Sequence, residues 1–298
     1  MKNTIKSFCL FVRDDSESSQ IAEQIRKINS EAKKPLLEVT NENDADLNIA
    51  IGGDGTFIDS VSRTGFGKYK EESEKRREKI YAGVHTGTLG YLQSISKEEI
   101  FTFIKYISND AEICVRKVFI ATIKIYTTKD VFTYNALNDI EVTSSKLNFK
   151  EYFGGYLLQE ITGNGFIVCT PTGSTALNMN AGGAIYLGDN IFLNRILKSP
   201  MRNKEITETP LTNNVITDND ITIILNHKGY INNFIHIEID GNLLKINPKS
   251  VTRIDISMDK SNYINKFENH QYNVTQATRK KILGLPNEVL PKLLQSSD

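Results

Sequence analysis

The chain has 298 residues, enough for one large or two ordinary domains with real hydrophobic cores. Its 36 Lys and Arg balance 36 Asp and Glu, and zero net charge argues against a nucleic-acid footprint or a general attraction to anionic membranes. With no long apolar run and no basic start leading to a cleavage site, the expectation is a soluble, cytoplasmic protein.

Residues 5–12 predict a first strand, and Ile21, Ile25 and Ile28 recur at helical spacing over 15–28. A buried strand at 47–51 breaks at Gly52-Gly53. A helical pattern then runs from Thr56 to about Arg63, followed by a strand at 80–84 and a helix at 97–107. Such alternation predicts a mostly parallel sheet flanked by helices, assigned to residues 1–112. The charged run 70–79 is mixed in sign and reads as a solvated helix or loop, with a small case for a lid.

Beyond about residue 112 the pattern turns β-rich. Segments 118–126, 131–134, 155–160, 166–169, 215–225 and 234–239 are joined by Asn, Asp, Gly and Thr, with short helical pieces near 174–180 and 191–197. This predicts an all-β domain over 113–265. Residues 266–298 are expected to pack back on the first domain, with a helical pattern at 278–295. Cys9, Cys114 and Cys169 lie far apart in apolar runs and predict buried thiols, neither disulfides nor zinc ligands. His85, His227, His236 and His270 show no metal spacing, so no protein-held metal is expected.

The most informative stretch is Leu47-Asn48-Ile49-Ala50-Ile51-Gly52-Gly53-Asp54-Gly55-Thr56. A strand, a glycine turn and a helix start aim backbone N–H groups and a positive dipole end at a phosphate. Gly52, Gly53 and Gly55 allow the backbone to come close to such a ligand. A carboxylate among phosphate-binding amides is repelled by the phosphate, so Asp54 points to a substrate hydroxyl or a metal ion. The loop lacks the Gly-Lys-Ser/Thr ending of the P-loop and the third glycine of the dinucleotide fingerprint.

Gly52-Gly53-Asp54-Gly55-Thr56 resembles the signature of NAD kinases and of the related diacylglycerol and sphingosine kinases. Three further segments single out the NAD kinases. Gly83 to Leu92 resembles their second glycine loop, and Asn138-Asp139 is similar to their Asn-Glu pair. Gly163 to Ala176, followed by Ala181-Gly182-Gly183-Ala184, resembles their longest motif. Ile239-Asp240-Gly241 resembles a weaker fifth.

The resemblance implies an α/β domain, an all-β domain and a final helical piece. It implies that Asp54 is the catalytic carboxylate, set against the 2′-hydroxyl of the adenosine ribose of NAD. Gly52, Gly53, Gly55 and Thr56 are then the ATP phosphate site. Asp54, Gly55, His85, Asn138, Asp139, Asn164, Thr172, Thr175, Ala176, Leu177, Asn178 and Asn180 are then the NAD-binding set. Mg²⁺ is implied by the phosphates of ATP, since it binds through phosphate oxygens with one or two carboxylates at most. Homodimers pairing into tetramers are implied as well.

The chain also departs from the family. Thr162-Gly163-Asn164-Gly165 stands where Arg-Gly-Asp-Gly is usual, losing a cation and an anion together, and Leu177 stands where Tyr is usual. Two other readings therefore stay open: a kinase of this fold acting on another diol-bearing metabolite, and a non-catalytic sensor of NAD or NADP. The donor, ATP or polyphosphate, and the acceptor, NAD or NADH, also stay open.

Overall fold

The computed structural model describes residues 5–64, 79–87, 90–109, 113–188, 190–201, 213–226 and 235–268. The possible lid at 70–78, the helical pattern at 278–295, His227 and His270 lie outside the described residues. Two units are distinguished. One comprises residues 1–60, 80–116 and 266–298; the other comprises 61–79 and 117–265.

In the first unit, β1 (Ser7–Val12), β3 (Leu47–Gly52) and β4 (Ile80–His85) pair in parallel, with two-residue strands β2 (Leu37–Glu38) beside β1 and β5 (Ile95–Ser96) beside β4. Strand β3 is buried along its whole length, which is why it reads as a mostly apolar run, broken by the buried Asn48, with no alternation. Helix α1 (Ser16–Ser30) begins where the Asp15 carboxylate accepts the Ser18 N–H at 2.8 Å. That contact, with the adjacent Arg13, holds the Asp15 carboxyl down at about 2.

Ile21 and Ile25 lie four residues apart, hence on one face of α1. They join Ile100 and Ile104 of α3 (Glu99–Ile107) in a core with Phe8, Ile49, Ile51 and Ile80. Helix α2 spans Asp54–Arg63. The pairings Val12↔Ile51 and Gly52↔His85 bring the carboxyl ends of β1, β3 and β4 level. In open parallel sheets that edge is where ligands bind.

The second unit is antiparallel. Strand β8 (Asp139–Phe153) pairs along its length with β9 (Tyr156–Cys169). On its other side its first half meets β13 (Ile235–Ile239) and its second half meets β12 (Ile221–Leu225). The change of partner coincides with a register shift between Thr143 and Leu147. Strands β10 (Leu193–Lys198) and β11 (Asn214–Thr217) extend the sheet beyond β9, and β15 (Val251–Phe267) lies beside β12. Strands β6 (Val115–Thr127) and β7 (Val131–Ala136) form a hairpin, and β14 (Asn242–Leu243) closes another on β13.

Four expectations are corrected. Residues 191–197 are not helical: Leu193–Lys198 is a strand buried on both faces, whose Leu193, Ile196 and Leu197 mimic helical spacing. Segments 155–160 and 166–169 are one continuous strand, because Thr162 to Gly165 stays paired instead of forming a loop. The run 215–225 is two strands, β11 and β12. Cys114 is exposed, while Cys9 and Cys169 are buried, and all three are free thiols.

The second unit also buries an ion pair. Arg195 Nη2 donates to Glu151 Oε1 at 2.5 Å, with both side chains fully inaccessible. Burial outweighs their attraction for each partner, holding the Glu151 carboxyl up at about 7 and lowering Arg195.

Candidate functional site

Within the first unit the glycine loop lies at the carboxyl end of β3. Asp54 is the first residue of α2, where backbone N–H groups have no partner inside the helix. The loop is closed by hydrogen bonds from Thr56 N–H and Phe57 N–H to the Gly53 carbonyl, at 3.0 and 3.3 Å. A Cβ on Gly53 or Gly55 would meet no atom within 4 Å, so the packing of the chain does not itself demand glycine at either position.

Asp54 is held from the second glycine loop. Tyr91 N–H donates to its Oδ2 and Leu92 N–H to its Oδ1, both at 2.9 Å. A Cβ on Gly90 would lie 2.2 Å from Oδ1, so glycine there is what lets that backbone reach the carboxylate. Each carboxylate oxygen has two lone-pair sites, so one donor apiece leaves room for a hydroxyl. His85 closes β4 at the same edge.

Two nearby cations were not singled out by sequence. Arg13 follows β1, donates from Nη2 to Thr86 Oγ1 at 3.2 Å, and pairs with Asp15. Lys266 is buried, and burial together with Arg116 holds its ammonium down at about 8, against the pull of Asp54 and Glu268. The available signals were weak: a lone Arg after an apolar strand, and a Lys beside an aromatic residue near the end of another.

In the second unit Asn138 and Asp139 sit where β7 passes into β8. Asn138 is buried, and its Oδ1 has no hydrogen-bond partner. Asp139 is buried as well. Desolvation first, then the nearby Asp240, Glu141 and Glu238, raise its carboxyl to about 7. Thr172, Thr175, Ala176, Leu177, Asn178 and Asn180 lie together on a 3-10 turn (Thr172–Thr175) and a one-turn helix (Leu177–Asn180) directly after β9.

Not all of these present their side chains outward. Asn178 is fully buried, donating to the Ser174 and Ala184 carbonyls at 3.1 and 3.0 Å and accepting from Asn194 at 3.1 Å. It ties the turn to β10. The Thr175 hydroxyl turns back to the Thr172 carbonyl at 3.4 Å. Thr172, Ala176 and Leu177 are half-buried, and Asn180 is exposed.

Asn164 stands apart from this group. It lies five residues before Cys169 within β9, about 17 Å along the strand. Its amide donates to the Ser144 and Ser145 carbonyls at 3.3 and 3.0 Å, gripping the register shift of β8. Replacing Asn164 with Asp puts an acceptor against two acceptors. We expect Asn164→Asp to lower the melting temperature by roughly 3–6 °C, with the loss also seen without NAD. Thermal melts with and without ligand check this, and an unchanged apo melt counts against it.

Asp139 gives stability a pH dependence whose sign is fixed. Its folded-state carboxyl titrates near 7, above the ordinary carboxylate range, so the folded chain holds a proton that the unfolded chain releases. The associated stability is full below about pH 4 and is lost as pH rises toward 7. Melting temperature should therefore fall by roughly 5 °C over that window from this group, with Glu151 acting in the same sense. Asp139→Asn should flatten the curve. A wild-type slope retained in the variant contradicts the assignment.

Among the described residues no group of three His, Cys, Asp or Glu is placed to hold a metal ion, and no helix is long and apolar enough to cross a membrane.

No protein-family model matches the chain. Over 277 residues it is 28% identical to the NAD kinase of Fusobacterium nucleatum, a match covering 91% of this chain and 95% of that one. Among solved structures it is similar to yeast NADH kinase complexed with NADH, with a TM-score of 0.75 at 16% identity, covering 97% of this chain and 90% of that one. It is also similar to an NAD kinase from Archaeoglobus fulgidus in complex with ATP, with a TM-score of 0.65 at 19% identity, covering 89% of this chain and 94% of that one. The structural likenesses speak for the fold, and the sequence likeness extends over nearly the whole length. With the glycine loop, the Asn138-Asp139 pair and the long Thr-Pro-Thr-Gly-Ser-Thr-Ala motif all present, the chain is similar to NAD kinases along nearly its whole length.

Proposed function

We infer that this protein is an NAD kinase, transferring the γ-phosphate of ATP to the adenosine ribose 2′-hydroxyl of NAD to make NADP. The observation that carries the reading is Asp54. It is a carboxylate at the start of a helix after a glycine turn, fixed by two backbone amides with lone pairs to spare.

Phosphoryl transfer asks for positioned phosphates and an oriented hydroxyl. The backbone N–H groups of Gly52 to Thr56 suit the phosphates, and a ligand approaching there explains glycine at positions 53 and 55, where protein packing does not require it. Asp54 orients the acceptor hydroxyl and takes its proton as the hydroxyl oxygen bonds to the γ-phosphorus and the bond from that phosphorus to the departing ADP oxygen breaks. Mg²⁺ bound with ATP would supply charge neutralisation, while the loop's own contribution is backbone amides in place of a carboxylate cluster.

In the second unit Asn138, with a buried carbonyl oxygen lacking a partner, is matched to a donor on the adenosine moiety. Asp139, Thr172, Ala176 and Leu177 complete that recognition. The family resemblance extends the reading to a homodimer or homotetramer in the cytoplasm.

The test is incubation of pure protein with ATP and Mg²⁺ and a panel of NAD, NADH and plain nucleosides, followed by product mass. The reading requires one added phosphate on NAD or NADH. Phosphate on another diol in preference to both overturns the acceptor assignment, and binding of NAD without any product identifies a sensor.

A further inference from the structure

The loop Leu137–Asp139 offers six backbone hydrogen-bonding groups, and all six are taken by two residues. Asp240 Oδ2 accepts the Leu137 N–H at 2.8 Å, and Oδ1 accepts those of Asn138 and Asp139 at 2.7 and 3.1 Å. The Asp240 N–H donates to the Asp139 carbonyl at 3.0 Å. From the other side the Thr170 hydroxyl donates to the Leu137 carbonyl at 2.6 Å, and the Thr170 N–H to the Asn138 carbonyl at 2.8 Å. With the main chain fully engaged, what the loop has left to present is its side chains. Of these, Asn138 keeps a buried oxygen without a partner.

Asp240 reaches this place from an unusual backbone. It and Gly241 form the two-residue connection between β13 and β14, with φ of 50° and 77°. Positive φ at both central positions is the twist that joins tight antiparallel strands, and Asp-Gly is a preferred sequence for it. The turn thus places a charged acceptor under three consecutive amides about a hundred positions away in sequence. A carboxylate collecting several backbone N–H groups fixes geometry more firmly than neutral acceptors do.

We propose that Asp240 and Thr170 are positioning residues for substrate recognition. On this proposal they form a two-sided clamp that holds Asn138 at the angle needed to meet the adenosine part of NAD. The proposal rests on the NAD kinase reading for the identity of the ligand.

The experiment compares Asp240→Asn, Asn138→Ala and their double variant in the full chain, reading KM for NAD, kcat and melting temperature. Asn tolerates the left-handed turn as well as Asp does, so the hairpin survives while one acceptor oxygen becomes a donor facing an N–H. Asp240→Asn should raise KM for NAD roughly tenfold with kcat changed less than about threefold, and Asn138→Ala should do the same. The double variant should be no worse than Asn138→Ala alone, because residues acting through one contact do not add.

Should Asp240→Asn fail to fold, Thr170→Val tests the opposite jaw by the same cycle with Asn138→Ala. Multiplicative KM effects in the double variant, or a lowered melting temperature with KM unmoved, overturn the clamp while leaving the NAD kinase reading intact. A wild-type protein that neither phosphorylates nor binds NAD overturns both.

Discussion

Asp54→Asn should reduce turnover by roughly 10²–10⁴-fold while the protein stays folded, because the group proposed to orient the acceptor hydroxyl and take its proton is gone. The structure adds a complication that the sequence does not show. Both oxygens of Asp54 already accept backbone N–H groups, and an amide would turn one of those bonds into a donor meeting a donor. A loss in Asp54→Asn alone therefore mixes lost chemistry with a displaced loop.

Gly90→Ala separates the two. Its added methyl would sit 2.2 Å from Asp54 Oδ1, so it shifts the carboxylate relative to the loop without removing its charge. Turnover should fall here too, by roughly 10-fold or more, since misplacement by about 1 Å is costly in an oriented reaction. Single-turnover kinetics on both variants measure this. If Asp54→Asn keeps most of its activity, the mechanism is wrong. If Gly90→Ala is indistinguishable from wild type, Asp54 does not depend on its tether.

Gly173→Ala is expected to be strongly damaging in the second unit. A Cβ there would lie 2.1 Å from the Asn138 carbonyl oxygen, which is backbone and has little freedom to move. The same region carries the Thr170 bonds to Leu137 and Asn138, so relief of the clash must open that contact. The cost should be about 1–3 kcal/mol of stability from overpacking. A KM for NAD raised at least tenfold should accompany it. Differential scanning calorimetry with steady-state kinetics checks both, and a variant with normal KM for NAD would detach the turn from substrate recognition.

How far the sequence carried depended on how each element hides its surroundings. Strands β1, β3 and β4 were legible because buried parallel strands are mostly apolar, and α1 because its isoleucines keep one face. Strand β10 was misread for the same reason: burial on both faces erased the alternation that marks a strand. Strands β8 and β15 escaped notice since charged residues such as Lys150, Glu151, Asp255 and Lys260 interrupt their apolar positions.

The glycine loop, Asn138-Asp139 and the Thr170 to Ala176 stretch are contiguous in sequence and therefore visible as motifs. What was not visible is long-range. The Asp54 tether spans 37 and 38 positions, the Asp240 contacts span more than a hundred, and the Asn164 bonds to Ser144 and Ser145 span 20 and 19. Such contacts leave no local periodicity to read.

The central claim is that the phosphate goes to the adenosine ribose 2′-hydroxyl of NAD. The most direct measurement offers the protein ATP, Mg²⁺ and either NAD or its 2′-deoxy analogue, and follows phosphate incorporation by product mass together with binding of each compound. NAD should gain one phosphate, and the 2′-deoxy analogue should bind and gain none. Phosphorylation of the 2′-deoxy analogue at a rate near that of NAD would contradict the account.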